Sequence, residues 1–230
     1  MSRLVVIAED AAGGIAGLDG EFEWGDAATA APGADVPGGD VVVALGTAGA
    51  PGAMRFDDWT HSAWPVRDSV FELPPPDPAG GLLLVTGGGE PDALLLEKLA
   101  NRGIPVRSAG ELGADELTSA AAVAFQPGRG EDGEYVPGAL QESVPAAAFA
   151  PLAARRPLIA PRARVTFGLH AGVDHLGAST DDDVVQWAAA LLGAPELFRP
   201  QVALGRIAAE RQRASAVYGR LVTELIAAGR

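Results

Sequence analysis

Residues 82–108, LLLVTGGGEPDALLLEKLANRGIPVRS, write one complete strand-helix-strand unit. The apolar run at 82–86 is too short for a helix and is closed by Gly87, Gly88 and Gly89, so it predicts a buried strand. A helix is predicted over 91–101, with proline at its first position and a stop at Gly103. The next apolar segment, 104–108, predicts a second strand. Two strands joined through a helix rather than a tight turn lie parallel.

Outward from this unit the same alternation continues. A short helix is expected at 115–120 and a strand at 122–126. After a polar Gly-rich loop, ESVPAAAFAPLAARRPLIAP at 142–161 carries an apolar helix through Arg155-Arg156-Pro157 straight into another strand. A strand at 173–177 precedes a long helical tail. Ser179 or Thr180 can cap that tail, and Asp181, Asp182 and Asp183 complement the positive end of the helix, which reads as solvated first-turn charge rather than a metal site. The terminal pattern at 202–228 repeats apolar residues at Val202, Ile207, Val217, Leu221, Leu225 and Ile226, an amphipathic helix interrupted once. Upstream, 4–8 and 41–45 read as buried strands and 21–24 as a weaker one. The prolines of PPPDP, at 74–78, exclude both helix and central strand and mark the best boundary. The expected class is α/β. A small α/β part at 1–79 precedes a Rossmann-like parallel-sheet domain at 80–230 that ends in a helical tail.

Composition narrows the function. The 230 residues carry a formal charge of −13, and the sequence pI is about 4.6. Such a chain repels a phosphate backbone unless its cations cluster, and only Arg155-Arg156 and the stretch from Arg206 to Arg213 are locally basic, so nucleic acid is not an expected partner. The absence of cysteine removes disulfides, thiolate nucleophiles and Cys-ligated zinc, and fits a reducing cytoplasm. The first apolar run is broken by Glu9 and Asp10, too early for a signal-peptide core or a membrane span.

The order of segments from 82 onward resembles the nucleotide-sugar donor domain of glycosyltransferases with the two-Rossmann GT-B architecture. LLLVTGGG matches that domain's strand and Gly-rich turn, and ELGADEL at 111–117 its "Glu-Leu" segment. AAVAFQP is similar to the strand that leads to the Glu-bearing loop, and RPLIAP to the strand entry after it. GLHAGVDHL at 168–176 looks like the family's Gly-rich turn, and DDDVVQWAAALLGAPEL like its closing acidic-capped helix. The resemblance covers about 150 residues in the right order.

It implies a nucleotide-sugar-dependent glycosyltransferase, with the donor as substrate and neither cofactor nor metal required. Residue by residue it implies Glu142 for contact with the sugar hydroxyls, and the amides of Ser143 and Val144, with the turn Gly87, Gly88 and Gly89, for the diphosphate. Arg107 or Arg129, and also Arg162 or Arg164, are the cations that could neutralise the leaving group. In the family a second Glu grips the nucleotide ribose; here that position is Ala150, which offers no acceptor. Glu90 and Asp92 would repel phosphate, and Lys98 lies more than two helical turns beyond the glycines. The alternative is therefore a non-catalytic descendant acting as an interaction module or regulatory subunit, with a protein partner or a second copy of itself. Another Rossmann-like nucleotide-binding protein is a third reading, but the Gly triplet completes neither a dinucleotide fingerprint nor a P-loop, and a tight turn that merely feeds the helix explains it equally well.

Other groups carry less. Trp59, His61 and Trp64 could form a sugar platform or pack on a sheet, and His61 with Asp57 or Asp58 could make a base and its orienting carboxylate. His170 and His175 lack a third ligand at a zinc spacing. No serine sits in a nucleophile elbow.

Overall fold

The structure, a computed structural model, describes residues 66–86, 89–110, 112–126, 146–165 and 168–213, the strand segments 4–8, 28–30, 41–45, 54–55 and 141–143, and positions 215, 216, 220, 223 and 227. The chain divides into two compact units, Met1–Asp68 with Arg211–Arg230, and Ser69–Glu210.

Among the described residues the first unit has the strands β1 (Leu4–Ala8), β2 (Ala28–Ala30), β3 (Val41–Leu45) and β4 (Met54–Arg55). They form a parallel sheet in the order β2-β1-β3-β4. Leu4 pairs with Val41 and Ala8 with Leu45, so the two apolar runs read from the sequence are the paired centre of this sheet. β2 and β4 have only three and two residues, too few for any periodicity to show. The weaker strand expected at 21–24 lies outside the described residues, as do Trp59, His61 and Trp64. The chain returns to this unit after 210, where the Val66 amide donates to the Gln212 carbonyl at 2.7 Å and the Ser215 amide to the Asp68 carboxylate at 3.1 Å. The interruption expected in the terminal helix falls here, at Arg211 to Arg213. A short helix, α1 (Asp68–Phe71), carries the chain onward into the second unit.

The second unit is built on a five-stranded parallel sheet. Its strands are β5 (Leu82–Val85), β6 (Val106–Ala109), β7 (Ala122–Phe125), β9 (Leu158–Pro161) and β11 (Leu176–Ala178), in the order β11-β9-β7-β5-β6. β8 (Gln141–Ser143) and β10 (Ala163–Val165) make a separate two-stranded parallel ribbon. The helices are α2 (Ala93–Asn101), α3 (Ala114–Thr118), α4 (Phe149–Ala153), α5 (Asp181–Gly193) and α6 (Arg199–Glu210). β5 and β7 are buried along their whole length, which is why LLLV and AVAF are continuous apolar runs rather than alternating ones. On one face Leu82, Leu84, Ala124 and Ile159 share a core with Leu95 and Leu99 of α2 and Val184 and Leu191 of α5. Among the described residues no helix is long and apolar enough to cross a membrane.

Local chemistry fixes the element ends. Thr180 caps α5, accepting from the Asp183 amide at 3.0 Å, while the Asp183 carboxylate accepts from the Thr180 amide at 3.0 Å, a reciprocal box. The Asp triplet is not uniformly solvated: Asp181 is buried, and Lys98 reaches it at 3.9 Å and Asp182 at 2.8 Å, tying α2 to α5. The strand expected at 173–177 begins instead at Leu176, because Asp174 folds the preceding segment into a turn. Its carboxylate accepts from the His170 amide at 2.8 Å and meets His175 Nδ1 at 2.7 Å, with Gly172 at φ 84°.

Two arginines from the basic stretches are internal. Arg156 is fully buried, and its guanidinium donates to the carbonyls of Leu117 at 2.8 Å, Pro74 at 2.8 Å and Thr118 at 3.4 Å, and to that of Ala154. It closes the last turns of α3 and α4 with one cation. Burial, with the neighbouring charge of Arg155 adding to it, lowers its pKa below the ordinary guanidinium value. Arg206 on α6 donates to the carbonyls of Ala153 and, at 2.9 Å, Phe71, and lies over the Phe71 ring.

Candidate functional site

A parallel sheet binds ligands outside the carboxyl ends of its strands, where successive connections leave in opposite directions. In this unit the chain runs from β5 sideways to β6, then crosses back over β5 to β7, and continues to β9 and β11. The reversal falls between β5 and β7, whose last residues Val85 and Phe125 are paired. Thr86 leaves from one side of that crevice and Gln126 from the other.

Gln126 spans the gap. Its amide donates to the Val85 carbonyl at 2.8 Å. The side-chain oxygen accepts from the Asp92 amide at 2.9 Å, and the side-chain nitrogen donates to the Glu90 carbonyl at 3.3 Å. Asp92 is the N-cap of α2 and accepts from the Leu95 amide at 3.0 Å. Gly89 donates to the Thr86 carbonyl at 3.4 Å. The donors at the start of α2 are thus partly satisfied from within, and the carboxylate that satisfies them stands where an incoming phosphate would have to go.

The residues expected at the donor site are placed as follows. Gly89 is exposed at the crevice, whereas Gly87, Gly88, Val144 and Arg129 lie outside the described residues. Glu142 and Ser143 are on β8, in the ribbon where Gln141 pairs with Ala163 and Ser143 with Val165. Arg107 is exposed on the edge strand β6, two residues before its carboxyl end. Lys98 is engaged by Asp181 and Asp182. Ala150, in the position of the family's second Glu, lies in α4 and is half-buried.

No protein-family model matches this sequence, and no curated protein matches it. Function must therefore be argued from the chain itself.

Sequence reasoning missed Gln126 as a site residue. The only local signal was a polar side chain directly after the apolar strand AVAF; its partners are 34 and 36 residues away along the chain. The His170 and His175 pair is also resolved. His175 is buried with Nδ1 on Asp174, and among the described residues no group of three or more His, Cys, Asp or Glu is arranged to hold a metal.

Proposed function

We propose that the chain is a glycosyltransferase-like protein that binds a nucleoside-diphosphate sugar at the carboxyl ends of the parallel strands in its second unit. The observation that carries this reading is the strand order, which puts the reversal point between Val85 and Phe125, next to the Gly-rich turn. Glu142, on the β8–β10 ribbon, is the group offered to the sugar. The diphosphate would meet turn amides rather than the first turn of α2, because Asp92 already occupies that end. Thermal unfolding with UDP-glucose, GDP-mannose and dTDP-glucose tests it. One of these should raise the melting temperature, a ligand at about a hundred times its Kd stabilising by about 2.7 kcal/mol, and Glu142→Ala should abolish the rise.

The closure made by Asp92 and Gln126 favours a second reading, a non-catalytic module of the same fold that acts by binding a protein partner. A flat thermal response to all three nucleotide sugars, together with a partner retained through purification, would select it. Sugar transfer by the isolated chain would eliminate it.

A further inference from the structure

A second concavity lies away from the β5–β7 crevice, along the outer edge of β11. It has a volume of about 810 Å³, within the range of small-molecule sites. Its wall comes from the 171–173 turn, Trp187 of α5, the turn at Leu197 and Phe198, and Gln201 and Leu204 of α6. Arg162, just beyond β9, stands at its border. Val173, Leu197 and Leu204 are 49%, 72% and 45% exposed, so apolar surface is left facing water around the groove.

We infer that this groove binds a small aromatic carboxylate. Two independent features converge on that class. First, among the described lining residues Arg162 is the sole charged side chain, an exposed guanidinium in a chain whose net charge is −13. An anion attached to an apolar body is the complement of that surface, and guanidinium binds carboxylate through paired hydrogen bonds. Second, the Trp187 indole is held in place because its N–H donates to the Gly177 carbonyl at 3.3 Å. A fixed, half-buried ring presents a ready face for stacking another ring.

The groove is also tightly bounded on the β11 side. A Cβ at Gly177 would stand 2.9 Å from the Ala171 Cβ and 3.0 Å from the Arg162 Cγ. Ala171 and the stem of Arg162 therefore close over Gly177 on that side, with Arg162 packed against the edge strand.

Titration calorimetry on the full chain, with four probes that separate the features, tests the inference. Indole-3-acetate supplies ring, carboxylate and N–H; 1-naphthylacetate lacks the N–H; indole lacks the carboxylate; tryptamine replaces the carboxylate with an ammonium. Indole-3-acetate and 1-naphthylacetate are both expected to bind, with indole weaker by about tenfold, which is about 1.4 kcal/mol, and tryptamine not at all. Arg162→Met should reduce the two acids to the level of indole and leave indole unchanged. Equal binding of tryptamine and indole-3-acetate overturns the inference using the unmodified chain alone, so it does not depend on the variant folding. Absence of binding by all four probes overturns it as well, and so does a dimer that Leu197→Glu dissociates while the probes have no effect. The donor site is untouched by these experiments, because none of the probes contains phosphate or sugar.

Discussion

Arg156 is the residue on which most of the second unit's loop geometry converges. The carbonyls it takes, from Pro74, Leu117, Thr118 and Ala154, belong to segments as far as 82 positions away. A lysine keeps the charge but presents a compact ammonium that cannot span that set. Arg156→Lys is therefore expected to cost about 2–4 kcal/mol in urea unfolding, from buried carbonyls left without donors. Its pH signature follows from the direction of the shift. Because burial lowers the folded pKa, the unfolded chain holds the proton more firmly, and the group contributes a rise in stability with pH only in the strongly alkaline range. This residue also marks where sequence reading stops. An Arg-Arg pair in an acidic chain looks like solvated charge, and nothing local distinguishes exposed Arg155, at φ 59°, from its buried neighbour.

At the level of elements, legibility followed burial. β5 and α2 were readable because each runs apolar between glycine or proline signals, and α5 because a hydroxyl and three carboxylates announce its start. β11 was displaced by three residues, since the Val-Asp-His-Leu run mixes an exposed Val173 with an Asp174 that folds a turn. The packing of α6 on α4 had no sequence signal at all. It depends on Gly205, where a Cβ would lie 2.8 Å from the Asp174 carbonyl oxygen and 2.8 Å from the Leu152 Cδ2. The leucine can rotate, whereas the backbone carbonyl can shift only with its turn. Gly205→Ala should thus destabilise by about 1–3 kcal/mol despite the gain in helix propensity, as measured by the urea midpoint. The candidate site divides along the same line. The Gly-rich turn was visible from its composition, but Gln126 was not, because a bridge across a crevice is a property of the assembled sheet.

At the scale of the whole molecule, the described residues of this 230-residue chain form three parallel sheets, of four, two and five strands. Every strand pair among the described residues is parallel, and the five-stranded sheet is open, with β11 and β6 as the outermost of its described strands. Such an edge is a template for another chain. On β11 the carbonyl of Ala178 turns inward to the Arg162 amide, and that of the adjacent Gly177 turns outward, where the Trp187 indole N–H covers it. Trp187→Phe keeps the ring and removes that donor. The expected outcome is a concentration-dependent increase in light scattering on mild heating, with little change in the midpoint of unfolding at high dilution. On that reading, one indole nitrogen acts as a guard on an open strand edge, and its removal would let crowded molecules pair edge to edge.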